Sequence, residues 1–192
     1  MTRTHLSDDR IAPNQNRDHE GAAVTYLLTW VCYGAWLLGQ TGAVRRTRNQ
    51  YGAPVPEPDA KLERRSRYRM TQEPYSFDSV RQQIVLQSLQ EACFHSGWTL
   101  WATHVRTNHV HVVLTANSKP EQIMTTLKAY SSRALNHCAR GSGNRRRWAR
   151  HGSTRYLWTK DAVRAALQYV VHEQGKPTAL FEIPLPLSEP RP

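Results

Sequence analysis

The alternation of apolar and polar residues along the chain divides it into strands and helices. Residues 24–38 are rich in β-branched and aromatic side chains, which predicts a central strand and its extension. Residues 98–106 and 109–115 alternate as two strands around a tight connection, which predicts a hairpin. Apolar residues recur at helical spacing in three further stretches, and they predict helices over 78–95, 120–139 and 160–173.

Polar stretches separate and flank these elements. Seven arginines lie between residues 40 and 74, which predicts a long basic loop. A second basic loop is predicted at 141–152, followed by a short edge strand at 156–158. The predicted organisation is therefore a disordered arm over 1–22, one domain over 23–176 that contains the basic insert at 40–75, and a proline-rich tail over 177–192.

The order of the predicted elements is strand, helix, strand, strand, helix, strand, helix. This order is typical of a ferredoxin-like α+β fold. We therefore expect an antiparallel sheet with the helices packed on one side of it.

The charge of the chain narrows the class of partner. Lys and Arg number 26 against 15 Asp and Glu, for a formal net charge of +11, and this balance favours nucleic acid over a membrane surface or a ribosomal partner. Cys32, Cys93 and Cys138 are too widely spaced to predict a disulfide framework or a cysteine zinc site. Because no 18 apolar residues run together, we expect an intracellular protein without a membrane partner.

The sharpest local feature is His109-Val110-His111. Strand alternation places both imidazoles on one face of the sheet, where they suit a divalent metal ion, although an exposed surface pair fits the same pattern. On the third predicted helix, Tyr169 and Glu173 stand four residues apart and share a face. If that helix packs beside the histidines, Glu173 completes the metal site and Tyr169 reaches a bound phosphate; the alternative is a half-buried core tyrosine.

Four segments in this order resemble the motifs of the single-tyrosine HUH transposases, of the insertion-sequence-200/605 type or the REP-associated tyrosine type. Residues 109–111 match the HUH motif, and residues 127–133 are similar to the family's Lys-Gly-Arg-Ser-Ser-Arg helix. Residues 157–159 resemble its Leu-Trp turn, and residues 168–174 resemble its Gln-Tyr-Ile-Glu-Asn-Gln segment.

The resemblance implies a reaction and the residues that perform it. Tyr169 would be the nucleophile, and His109 and His111 would bind a divalent metal, Mg²⁺ or Mn²⁺, with Glu173 as the third ligand. The family often has Gln or Asn at that third position, which makes Gln174 a competing candidate. The implied activity is cleavage and rejoining of single-stranded DNA through a 5′-phosphotyrosine, in transposition or a domesticated form of it.

The resemblance also implies partners and alternatives. We expect single-stranded DNA or DNA hairpins as substrate, a homodimer with a monomer also open, and a place in the bacterial cytoplasm at the nucleoid. The residues predicted to bind DNA are Arg106, Lys128, Arg133, Arg145, Arg146, Arg147 and Trp158. Trp36 and Trp148 could also stack on bases, Tyr130 is the second candidate nucleophile, and His104 is predicted to be structural. Two other functions fit the pattern: a relaxase-like nickase, and a non-catalytic nucleic-acid-binding module on the same fold.

Overall fold

The computed structural model describes residues 22–41, 57–138 and 145–184, so the predicted N-terminal arm lies outside the described residues except for Ala22. Within these ranges the chain forms five strands and four helices. In chain order they are β1 (Val24–Cys32), α1 (Ala60–Tyr68), α2 (Ser79–Ser96), β2 (Thr99–Val105), β3 (His109–Ala116), α3 (Pro120–Cys138), β4 (Trp148–Leu157), α4 (Lys160–His172) and β5 (Ala179–Glu182).

The five strands form one antiparallel sheet in the order β4-β1-β3-β2-β5. Its first four strands have the order expected of a ferredoxin-like fold, and β5 extends the sheet beyond β2. The predicted α+β class with an antiparallel sheet is confirmed. In the register that matters for function, His111 of β3 pairs with Thr29 of β1 and with His104 of β2.

The two faces of the sheet are covered by different helices, whereas the sequence predicted helices on one side. The α2 and α3 helices pack on the face that carries Leu28 and Val112. The apolar stripe of α4 is instead buried on the opposite face, against Leu27 and Val113. Because β1 and β3 are apolar on both faces, each face needs its own cover, and α4 supplies the second one.

Three further segments differ from the prediction. The predicted basic loop contains α1, which begins at the N-cap Asp59 and buries no residue, so its sequence shows no apolar stripe. Strand β4 runs well beyond the predicted 156–158, because its middle is an exposed polar edge without the usual apolar signal. Within the predicted tail, β5 pairs with β2.

Two predictions from composition can be compared with the structure. Cys32, Cys93 and Cys138 are all free thiols, as predicted. In the described ranges, the structure contains no helix with the length and apolar character needed to cross a membrane.

Candidate active site

Two histidines lie side by side on the face of the sheet that α4 covers. The ring centroids of His109 and His111 are 4.8 Å apart, with the ring planes at 85°. His111 is buried near the middle of β3, and His109 is half-buried at the start of that strand. The sequence prediction that both imidazoles share one face is confirmed by the pairing of His109 with Val31 and of His111 with Thr29.

Neighbouring side chains orient the two imidazoles. The amide oxygen of Asn108 lies 2.7 Å from Nδ1 of His109, and because that oxygen only accepts, Nδ1 carries the proton and Nε2 keeps its lone pair. Nδ1 of His111 bonds to the hydroxyl of Thr29 at 2.8 Å. Nε2 of His111 is buried and has no hydrogen-bond partner among the described residues. A buried nitrogen in this state is a suitable ligand for a metal ion.

The surroundings keep both imidazoles neutral near pH 7. Burial lowers the pKa of His109 to about 4, and the charge of nearby Arg106 contributes in the same direction. Burial also lowers the pKa of His111 to about 3, with a contribution from His109. The neutral imidazole is the form that coordinates metals, so protons compete little for these nitrogens at physiological pH.

The predicted nucleophile lies against this pair. Tyr169 is in the last turn of α4, and its ring centroid is 5.4 Å from that of His111 in an edge-on arrangement. The side chain is 39% exposed, so its phenol can meet a ligand from solvent. Tyr130 is instead on α3, which packs on the opposite face, and the Arg133 guanidinium lies over its ring. The structure therefore brings Tyr169, and not Tyr130, to the histidines.

The structure brings Gln174 rather than Glu173 to the histidines. The side chain of Gln174 lies near both imidazoles and raises the pKa of each, which partly offsets the effect of burial. It makes no hydrogen bond to the buried Nε2 of His111. Its amide nitrogen also donates to the carbonyl of Tyr169 at 3.2 Å. Glu173 is exposed, and the described residues contain no group of three or more His, Cys, Asp or Glu side chains that could hold a metal.

The end of α4 explains this difference from the predicted third ligand. The four-residue spacing of Tyr169 and Glu173 would place both on one face only if the helix continued. The helix ends at His172, and Glu173 is its C-cap with ψ near 3°. The following residue, Gln174, is thereby turned back toward the sheet.

His104 connects the sheet to the helix that carries Tyr169. Its side chain is fully buried, and Nδ1 donates to the carbonyl of Val170 over 3.0 Å. Because Val170 directly follows Tyr169, this bond fixes the last turn of α4 against β2. The sequence predicted a structural role for His104, and the contact is of that kind.

The part of the chain that contains the histidines and Tyr169 matches a known protein family. A model of the family described as "Transposase IS200 like" matches residues 68–170, which is more than half of the chain and includes His109, His111 and Tyr169. The chain belongs to the IS200-like transposase family.

Two other comparisons accompany this result. The solved structure of a REP-associated tyrosine transposase bound to a REP hairpin is similar to the chain at 12% sequence identity, with a TM-score of 0.44. The similarity covers 83% of this chain and 70% of that one. No curated protein matches this transposase.

Several residues predicted to bind DNA in this transposase have structural contacts. Arg106 donates to the carbonyl of Lys176 and so holds the segment after α4. The ammonium group of Lys128 donates to the carbonyl of Ala149 in β4, and burial lowers the pKa of Lys128 to about 8. Arg133 lies on the same helix as Lys128, away from the histidine face.

The other predicted residues lie elsewhere around the sheet. Arg145 donates to the carbonyls of Glu73 and Pro74. The backbone of Arg146 donates to Gln72, and Arg147 is buried. Trp158 is 54% exposed and stacks on Tyr156 beyond the end of β4 that is remote from the histidines. Of these residues, Trp158 is the one placed far from the histidines, whereas the backbone of Arg147 bonds to Tyr33, two residues after the partner of His109 in β1.

Acid should destabilise the protein. The two histidines are neutral when folded, whereas in the unfolded chain their pKa returns to about 6.5. Between about pH 6.5 and pH 4 the unfolded state therefore binds more protons, and the free energy of unfolding falls as pH falls. In urea unfolding with a chelator present, we expect the free energy of unfolding to fall by roughly 2–3 kcal/mol between pH 6.5 and pH 5. His111→Asn should reduce this loss by about half; the same pH dependence in both proteins would contradict the buried neutral pair.

Proposed function

We propose that this transposase cuts and rejoins single-stranded DNA through a covalent 5′-phosphotyrosine on Tyr169. The observation that carries the proposal is the contact of its partly exposed phenol ring with His111, beside a second imidazole. A hydroxyl nucleophile and a pair of neutral nitrogen donors thereby lie close together on one face of the sheet. This combination suits attack on a phosphodiester held at the histidines.

The residues at this point fit a divalent cation, Mg²⁺ or Mn²⁺. His109 and His111 would bind it through Nε2, and Gln174 would add an amide oxygen. When bound, such a cation polarises the scissile phosphate and offsets the charge that develops on it. Glu173 remains the alternative third ligand, because a small change at the end of α4 would bring its carboxylate closer.

The chain's own residues account for the remaining steps. The Tyr169 hydroxyl gives up its proton and its oxygen forms a bond to phosphorus as the bond from phosphorus to the 3′ oxygen breaks; the 3′ oxygen takes up one proton, directly or from solvent, and leaves as a hydroxyl. His104 holds the last turn of α4 in place during this step. In the reverse reaction a 3′ hydroxyl attacks the phosphotyrosine and releases the phenol, so rejoining needs no nucleotide cofactor.

The expected substrate is single-stranded DNA or a hairpin with a single-stranded flank. The net charge of +11 favours a polyanion, and membership of a transposase family favours DNA at the bacterial nucleoid. We expect a homodimer, since β4 exposes the edge of the sheet as a template for pairing with a second copy. Light scattering would distinguish it from the monomer.

An adduct assay tests the proposed reaction. Single-stranded DNA and hairpins with a randomised segment, labelled at the 3′ end, are incubated with the protein and Mn²⁺ or Mg²⁺ and separated under denaturing conditions. We expect the 3′ label to migrate with the protein, and a 5′ label to appear on a shortened free strand. Binding of the pool without any adduct would favour a non-catalytic nucleic-acid-binding module.

The third ligand can be assigned with two neighbouring substitutions. Because Gln174 and not Glu173 faces the imidazoles, Gln174→Ala should weaken Mn²⁺ binding and slow adduct formation by about 10- to 100-fold. Glu173→Ala is the matched control and should stay within about threefold of the unmodified protein, as exposed substitutions usually do. Calorimetric titration with Mn²⁺ gives the affinities, and a larger loss in Glu173→Ala would assign the site to the carboxylate.

A further inference from the structure

We propose that Trp36 is the platform on which this transposase stacks an unpaired base beside the phosphate it cuts. The proposal rests on the function proposed above and adds the residue that makes the site select single strands. It concerns a segment outside the range matched by the family model, which begins at residue 68.

Trp36 and Tyr169 lie at the two ends of a series of ring contacts that passes through both histidines. Its ring centroid is 5.5 Å from that of His109, with the planes tilted by 34°. His109 contacts His111, and His111 contacts Tyr169. A phosphate held at the histidines would therefore lie near both a phenol and an indole.

The exposure of Trp36 is not explained by packing. The side chain is 52% exposed although it is the largest type of apolar residue. Trp30 is fully buried and Trp148 donates its indole N–H to Lys128 and Ser132, so these two belong to the core. An exposed indole next to two candidate metal ligands is suited to stacking on a base, because every base has an aromatic face.

The loop that carries Trp36 is held in place before any ligand binds. The backbone N–H of Leu37 donates to the side chain of Gln40 at 2.9 Å, and the Gln40 amide donates to Glu63 of α1 at 3.0 Å. The hydroxyl of Ser66, also on α1, donates to the carbonyl of Leu38. Helix α1 therefore fixes the loop, and a pre-ordered indole loses little entropy when a base stacks on it.

A tight turn before Trp36 fixes its direction. Gly34 has a φ of +73°, which favours glycine, and a Cβ atom there would come within 2.5 Å of the Met70 side chain and 3.1 Å of Pro74. The segment around Pro74 thereby packs directly against the turn. The indole therefore projects from a closely packed turn and not from an open loop.

The charge on α1 suits a strand that passes over Trp36. The helix buries no residue, so the core does not require it. Its exposed cations can contact phosphates on either side of a stacked base. They are Lys61, Arg64, Arg65 and Arg67, together with Arg69 at the C-cap. The chemistry therefore favours a single strand of DNA, whose bases are unpaired and free to stack on an indole.

A fluorescence experiment tests stacking without any cleavage. The Tyr169→Phe protein is titrated with oligo(dT) that carries one 2-aminopurine, whose emission is quenched when it stacks on an indole. We expect quenching, and an affinity roughly 5- to 150-fold weaker when Trp36→Ala is added. Trp36→Phe should retain most of the affinity. Phe94→Ala is the matched control, since Phe94 is 82% exposed on α2, which packs on the opposite face of the sheet.

Cleavage then tests the position of the stacked base. An abasic nucleotide is placed on either side of the mapped cut. We expect one of the two placements to slow adduct formation in the unmodified protein and to have no further effect in Trp36→Ala, because both changes remove the same contact. Fully additive losses, or equal quenching in Trp36→Ala, would overturn the proposal.

The two experiments separate this proposal from the proposed function. If adducts form normally in Trp36→Ala, the platform is wrong and the nucleophile assignment stands. If quenching depends on Trp36 but no adduct forms in any protein, stacking stands and the cleavage chemistry is wrong. Thermal unfolding of Trp36→Ala verifies that the variant folds, and replacement of a half-exposed side chain should change the midpoint by only a few degrees.

Discussion

Tyr169→Phe is expected to eliminate the covalent adduct and to reduce strand cleavage by at least about 10⁴-fold. The substitution removes the one oxygen that can attack phosphorus from this position. It keeps the aromatic ring that contacts His111, so the packing of α4 and the affinity for DNA should change little. The size of the loss follows from removing a nucleophile rather than weakening a contact.

Tyr130→Phe is the control for this prediction. Tyr130 lies on α3, on the face of the sheet away from the histidines, and its ring contacts Arg133 and His95. The variant should form the adduct at the rate of the unmodified protein, measured with 3′-labelled DNA. An adduct that persists in Tyr169→Phe and disappears in Tyr130→Phe would show that Tyr130 is the nucleophile and would contradict an active site at the histidines.

The second large effect is expected from His111→Ala. This substitution removes an imidazole that Thr29 orients through Nδ1. The Nε2 atom of that imidazole is buried and has no hydrogen-bond partner in the described part of the chain. Loss of this candidate metal ligand should prevent saturable Mn²⁺ binding and lower the rate of adduct formation on the order of 10³-fold, equivalent to several kcal/mol of transition-state stabilisation.

A matched histidine and a second measurement make this test specific. His137→Ala changes an exposed histidine near the end of α3 and should leave Mn²⁺ affinity and rate unchanged. Since His111 is buried, urea unfolding must show that His111→Ala is folded before its metal affinity is compared. Normal Mn²⁺ affinity in folded His111→Ala would contradict a metal site at the histidine pair.

The parts of the site that sequence could predict are those set by local geometry. His109 and His111 are two residues apart in a strand, so alternation alone places them on one face. Their contact with Tyr169 depends on which face α4 covers, and no local pattern decides that; the resemblance to a family of known motif order supplied it. The structure agrees, because α4 packs on the histidine face.

The parts that sequence could not predict depend on chain ends and distant contacts. Gln174 rather than Glu173 lies near the histidines because α4 ends at His172, whereas the periodicity predicts one more helical residue. The sequence predicts a loop where α1 forms, because the face of α1 toward the loop that carries Trp36 is polar, through Glu63 and Ser66.

Strand pairing and charge show the same limit. The sequence does not predict β5, because its partner β2 lies more than 70 residues earlier in the chain and its own four residues carry no periodic signal. Among the basic residues, composition alone could not separate Lys128, whose ammonium group binds backbone carbonyls, from the exposed cations of α1.

Mass spectrometry of the adduct would show directly whether DNA becomes covalently attached to Tyr169. Protein incubated with single-stranded DNA and Mn²⁺ is digested with nuclease and trypsin, and peptides are searched for a nucleotidyl group. The tryptic peptide that begins at Ala165 contains a single tyrosine, Tyr169, whereas Tyr130 falls in the short peptide 129–133. We expect the modification on the first of these peptides. A modification on 129–133, or none on any peptide while DNA binding is retained, would contradict it.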